Sequence, residues 1–256
     1  MKEFYSGEEE RRMEEERQWR ERMAEETARL ATAASAAGMP AGEAAKNIQE
    51  AMAAAEGPTP AERAKADFLN IYENIHRSGA DELLKWLERS TDFFTAPAST
   101  KHHGAHPGGL VIHSVNVWCR LRAIACRDIL EDGPAALAPE TEETVAILGL
   151  LHDLAKVNCY HPMDPFKAVL DNIRERYIFR DTLPLGHGEK SLFLISRFIP
   201  LKDAEALAIR WHMGAYDAST PGARCLDAAM RLTPWVWRLQ EADMCAANID
   251  EREAQE

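Results

Sequence analysis

Cysteine is scarce and poorly placed for cross-linking: Cys119, Cys126, Cys159, Cys225 and Cys245 are scattered, odd in number and include no Cys-x-x-Cys pair. That argues against a disulfide framework and against a structural zinc knuckle, and leaves free thiols in a reducing compartment as the expectation. No stretch of about 18 uncharged apolar residues is present to span a bilayer. The opening Met-Lys-Glu-Phe-Tyr-Ser-Gly-Glu-Glu-Glu-Arg-Arg lacks the basic-then-apolar layout of a signal peptide. A cytoplasmic location with no membrane partner is therefore expected. Positive charge is also in deficit. A net charge of −12 disfavours long, sequence-independent contact with nucleic acid, although metal ions can supply local positive charge for a nucleotide. The sequence has no Gly-x-Ser-x-Gly elbow and no phosphate-binding Gly-x-x-x-x-Gly-Lys loop, so neither a serine nucleophile nor ATP-driven work is expected.

What is present is an ordinary globular balance, 46% hydrophobic and 28% charged over 256 residues, long enough for one domain with an extension. Residues 1–60 form a charged, then Ala-rich segment. Pairs such as Glu8–Arg12 and Glu16–Arg20 support an exposed helix, and Gly57-Pro58-Thr59-Pro60 breaks the chain. This predicts an N-terminal helical arm through which a homo-oligomer would form, followed by a separate domain over 61–256. In that domain the apolar spacing is helical throughout: Phe68, Leu69, Ile71, Tyr72 and Ile75, then residues 110–130 and 141–154, with further helices predicted at 189–199, 203–213, 222–231 and 234–249. No period-2 alternation flanked by hairpin turns is evident, so a sheet is not expected. The predicted fold class is all-α, a helical bundle, a setting in which metal ligands project inward from facing helices.

The chemistry gathers at His152-Asp153, directly after the apolar run Ala146-Ile-Leu-Gly-Leu-Leu151. One His-Asp dipeptide is close to what chance supplies, so its setting carries the weight. An imidazole and a carboxylate following a buried helical face are costly to bury unpaired, and a divalent cation between them removes that cost. Other candidates stand beside apolar helices: His113 among aliphatics, His187 in Leu-Gly-His-Gly, His212 closing a helix, and Asp243 on the face of Val236 and Leu239. Each alone reads more simply as a satisfied core or boundary residue. All of them together with Asp153 are harder to dismiss.

The ordered series His113, His152-Asp153, His187, His212, Asp243 resembles the two-metal ligand set of the HD-domain phosphohydrolases. The stretch from Phe93-Phe94 through Lys-His-His103-Gly-Ala-His-Pro-Gly-Gly to His113-Ser is similar to the HD domain fused to certain bacterial 3′-to-5′ exoribonucleases. The resemblance covers residues 68–250. It implies that His113, His152, Asp153 and Asp243 hold one divalent ion and that Asp153 bridges to a second held by His187 and His212, with Mn, Fe, Mg, Ni and Zn all open. It also implies a catalytic role for Asp153, and makes Lys156, in His-Asp-Leu-Ala-Lys, a candidate for substrate phosphate; a solvent-facing lysine is the other reading. The implied activity is metal-dependent hydrolysis of a phosphoester or phosphoanhydride in a nucleotide-like small molecule, by a hydroxide bridging the two ions. A nuclease acting on nucleic-acid ends, an HD-type di-iron oxygenase and a non-catalytic metal-bound regulatory module stay open. The chain departs from the exoribonucleases in having no evident strand-built nucleic-acid domain before residue 61, and the Gly-Tyr-Pro signature of cyclic-dinucleotide phosphodiesterases is absent. His102, His103 and His106 crowd one loop, where a contact to substrate or proton donation and a merely polar loop are both open. Asp217 is a candidate to orient His212. His76 and His161 are given no role.

Overall fold

The computed structural model describes residues 57–129, 137–163, 176–217 and 220–252, with the isolated positions Arg29 and Lys46. The chain divides into two compact units, Met1–Thr59 and Pro60–Glu256. The arm, its helices and its self-association fall outside the described residues. The second unit is helical: α1 (Pro60–Tyr72), α2 (Ala80–Ser90), α3 (Gly109–Ile129), α4 (Pro139–Leu151), α5 (His187–Ser196), α6 (Asp203–Trp211), α7 (Thr220–Leu232) and α8 (Trp235–Cys245). Short 3₁₀ turns follow α4 (Leu154–Lys156) and α6 (Gly214–Asp217), and a single π turn (Ala246–Asp250) continues α8. The all-α expectation holds, with one addition. Tyr160–Pro162 (β1) and Tyr177–Phe179 (β2) pair antiparallel, with His161 opposite Ile178. Strands this short carry too few positions to display an alternating pattern.

The long helix α3 packs against α1, α4 and α8, while α6 packs against α5 and α8. Helix α4 starts with Pro139 in its first turn and Glu140 and Glu142 close behind, a placement that suits both the missing proline N–H and the positive end of the helix. From Thr144 to Leu151 every residue of α4 is buried. A helix apolar on all sides belongs in the middle of a core, so whatever follows it starts from the interior. Truncating a fully buried side chain such as Leu148 to Ala would cost about 2–5 kcal/mol.

A second anchor lies at the other end of α4. Arg77 reaches both carboxylate oxygens of Glu205 (2.6 and 2.7 Å) and also Glu143, while the Thr144 hydroxyl donates to Glu205 at 2.7 Å. Glu205 is fully buried. Burial alone would raise its carboxyl, yet Arg77 holds it below the usual range. The α1–α2 connection, α4 and α6 are thereby fixed around one charge. Among the described residues no helix is long and apolar enough to cross a membrane.

Candidate metal centre

His152 and Asp153 emerge from the buried end of α4, exposed by 0% and 2%. The backbone turns there because His152 closes the helix. Its N–H bonds Leu148 O, and its ring Nδ1 lies 3.0 Å from Gly149 O. His212 repeats the device at the end of α6, with Nδ1 2.7 Å from Ile209 O. A carbonyl can only accept, so in both rings Nδ1 carries a hydrogen and Nε2 is the atom turned toward the interior. Each bond also satisfies one of the carbonyls that a helix end leaves without a partner.

His113, on α3, is held through Nδ1 by another route. Its Nδ1 faces the Glu251 carboxylate at 3.1 and 3.2 Å, and Glu251 is itself bound by Asn116 Nδ2 at 3.0 Å. The Nε2 atoms of His113, His152 and His212 are all buried and make no hydrogen bond. They point at carboxylates: His113 lies 3.1 Å from Asp243 and 3.5 Å from Asp153, and His152 and His212 each lie 3.6 Å from Asp153. Lone pairs aimed at anions in a dry interior require a cation between them, either a proton or a metal ion.

His187 arrives from the start of α5. Gly188, next to it, lies against the Arg210 carbonyl of α6, where a side-chain carbon would collide. That close approach sets the His187 and His212 rings 5.1 Å apart. His187 Nε2 donates to Asp153 Oδ1 at 2.7 Å, and Lys156 Nζ sits 2.7 Å from Asp153 Oδ2. All six ligand candidates named from the sequence therefore lie in one cluster, centred on Asp153. Two groups within it could each hold an ion: His113, His152 and Asp243, and His152, Asp153 and His212.

The electrostatics follow from burial set against these pairs. Burial works against charge on His113, but Asp243 and Glu251 hold its imidazole up to about 10. Burial pushes His152 down to about 4. Burial also opposes charge on Asp153 and Asp243, yet the surrounding cations and imidazoles hold both well below the carboxylate range. Lys156 loses by burial and gains more from Asp153, so its ammonium is retained.

The cluster opens into a cleft of about 1140 Å³, walled by His103, Asp153, Lys156, His187, Tyr160 and Tyr216 among others. Two participants were not named as ligands or partners from the sequence. Glu251 lies in a run of charge after α8 that looks like any solvated tail, and only the π turn carries it back to α3. His103 was seen as one of three loop histidines, and nothing local separates it from His102 and His106. Of these three, only His103 has a buried nitrogen without a hydrogen bond. The side chain of Asp217 lies outside the described residues, and His76 and His161 are exposed.

Imidazoles and carboxylates thus converge from α3, α4, α5, α6 and α8 of a helical bundle, in groups that could hold a metal ion. The family model of the HD domain matches residues 110–235. This match takes in His113, His152-Asp153, His187 and His212 and supports placement in the HD superfamily, whose members are in general metal-dependent phosphohydrolases. No curated protein and no solved structure matches the chain.

Proposed function

We propose that residues 61–256 form a metal-dependent phosphohydrolase domain that cleaves a phosphoester or phosphoanhydride in a nucleotide-like substrate, with two divalent ions held by His113, His152, Asp153, His187, His212 and Asp243. One observation carries the reading: three imidazoles donate outward through Nδ1 and turn buried Nε2 atoms, which make no hydrogen bond, on Asp153 and Asp243. The donor set is nitrogen and oxygen without thiolate, which suits first-row divalent ions. The division between two ions is the one that the HD resemblance implies: Asp153 would be shared between them, and because an imidazole serves one ion, His152 would belong to only one of the two groups that contain it. His187, 2.7 Å from Asp153, is then the partner of His212 on the second ion.

When bound, such ions polarise a phosphoryl oxygen and make a water acidic enough to attack near neutral pH. The chain's own residues supply the rest. Asp153 and Asp243 would offset half of the ions' positive charge, and the outward Nδ1 bonds hold the rings in place. Lys156, a retained ammonium on the cleft wall, is placed to take a phosphoryl oxygen in a charge-assisted hydrogen bond. In the net reaction an O–P bond forms from water, the scissile P–O bond breaks, and the leaving oxygen ends protonated. The rims favour a nucleotide. Phe179 is 50% and Tyr216 80% exposed on this cleft, and rings that forgo burial there offer faces on which a base can stack. The test is elemental analysis of the purified protein after reconstitution with Mn²⁺ or Fe²⁺, joined to a screen of nucleotides for release of phosphate or pyrophosphate. Close to two equivalents and metal-dependent release are expected. A folded protein that binds no metal removes the basis of the proposal.

A further inference from the structure

The loop between α2 and α3 is the least regular part of the described domain near the cleft, yet it is firmly built. Ala96, Ala98 and Ala105 are buried, and Phe93 and Phe94 pack on Phe68 of α1 with ring centroids 5.1 and 5.2 Å away. Backbone bonds cross it from Ala98 N to Gly104 O (2.9 Å), Gly108 N to Thr95 O (3.0 Å) and Leu110 N to Ala96 O (3.0 Å). The Ser99 hydroxyl donates to the His103 carbonyl and accepts from the His102 N–H, both at 2.8 Å. Gly104 follows at φ +59°, a left-handed conformation, and a side-chain carbon there would crowd Ala98. This bracing fixes the backbone from which His103 projects. Its ring stands 5.1 Å from that of His113, and its Nε2 is buried in the cleft wall with no hydrogen-bond partner.

A buried polar atom without a partner costs about 1–3 kcal/mol, and besides the solvent of the open cleft two ligands would remove that cost. The first is a metal ion, since His103, His113 and Glu251 lie close enough together to form a ligand group. That group does not hold up as a site. His113 Nδ1 and Glu251 are bonded to each other, and the other nitrogen of His113 faces Asp153 and Asp243. Only His103 would bring a free lone pair. The second occupant is an acceptor oxygen brought by the substrate.

We infer that His103 is a substrate-binding residue: its Nε2–H, held by the braced loop beside the metal ligands, donates to a non-bridging oxygen of the phosphoryl group being cleaved, from the side of the cleft formed by the α2–α3 loop. The inference rests on the phosphohydrolase reading above and adds to it a second protein donor beside Lys156. It assigns this loop, which carries no ligand of the proposed ion pair, to recognition of the reacting group.

The test uses the full chain reconstituted with Mn²⁺ and inorganic phosphate as the probe, with binding measured by calorimetry alongside metal content. His103→Ala should keep both metal equivalents and the helical circular dichroism of the wild type while weakening phosphate about tenfold, the loss expected for one charge-assisted hydrogen bond. His103→Gln, whose amide nitrogen falls near the position of Nε2, should recover most of that affinity. A purely packing role would not be rescued by an amide. Equal phosphate affinity in wild type and His103→Ala overturns the assignment and leaves the phosphohydrolase reading standing. Loss of a metal equivalent in His103→Ala, with the fold kept, overturns it in favour of a ligand role. A metal-loaded wild type that binds no phosphate overturns the phosphohydrolase reading and the His103 assignment together.

Discussion

Glu251 and His113 are joined by a carboxylate–imidazole hydrogen bond of 3.1 Å across 138 positions of sequence. The bond sets which nitrogen of His113 is free, and the same carboxylate also holds Asn116 on the next turn of α3. Carboxylates that orient a ligating histidine are typically worth about 10–100-fold in metal affinity. Glu251→Ala should therefore weaken metal binding by about that factor with little change in melting temperature. Glu251→Gln, which still offers an accepting oxygen, should fall between the two. Competition against a chromogenic chelator measures the effect, and an unchanged affinity in Glu251→Ala would place the residue outside the centre.

Asp153 and Lys156 should separate cleanly. Asp153 lies within 3.6 Å of four imidazoles and at 2.7 Å from the Lys156 ammonium. Asp153→Ala is expected to lose at least one metal equivalent and turnover by orders of magnitude while the helical content persists. Lys156→Ala removes a cation that competes for the same carboxylate, so metal affinity should hold or rise while turnover falls. Metal stoichiometry, circular dichroism and turnover on both variants decide it. An Asp153→Ala protein with two metals and near-normal activity would show that another carboxylate is central.

Metal uptake should release protons. Burial opposes charge on the His113 imidazole, but Asp243 and Glu251 hold it up to about 10, so at neutral pH the metal-free ring is protonated and must lose a proton to become a ligand. Apparent affinity should rise with pH through the neutral range, by about tenfold per pH unit for one displaced proton, and the dependence should fade once pH passes about 10. Calorimetry in two buffers of different ionisation enthalpy reads the proton count directly. A count of zero at pH 7 would mean that His113 is neutral before the ion arrives.

Arg77 offers a control far from the chemistry. Replacing it with Met leaves the buried Glu205 carboxylate without its cation, which costs about 3–5 kcal/mol when one partner of a buried pair is removed. Glu205 is held below the ordinary carboxyl value of 4.5 by Arg77 despite its burial. Its contribution is thus complete above that value and is lost as pH falls further toward the folded-state value. Chemical denaturation at pH 7 and at pH 4 should show Arg77→Met costing more at the higher pH, with metal content unchanged. An equal cost at both would mean that packing, not charge, carries the bond.

The helices and the ends at which His152, His187 and His212 sit were legible because apolar spacing and isolated polar residues are local signals. Helix α5 begins at His187 rather than at residue 189, and α8 gives way to a π turn at Ala246 instead of running to residue 249. The β1–β2 pair escaped notice because each strand has three residues. Glu251 and the bracing of His103 depend on atoms brought together from distant positions, and no pattern in their own neighbourhoods records that. Lys156 was read as facing either phosphate or solvent. It lies 2.7 Å from Asp153 in the cleft wall, placed there by the 3₁₀ turn Leu154–Lys156.

The Nδ1 bonds of His152 and His212 run to carbonyls three residues earlier in their own helices. The orientation of these rings is thus an intrahelical property, acquired with the last turn of α4 and of α6 and independent of the ion. Two of the four imidazoles are aimed by their own helices, and only the remaining partners depend on other elements to bring them into register. An ion that arrives late meets donors whose rotational entropy has already been spent, and the ordering penalty falls on folding instead of on metal capture.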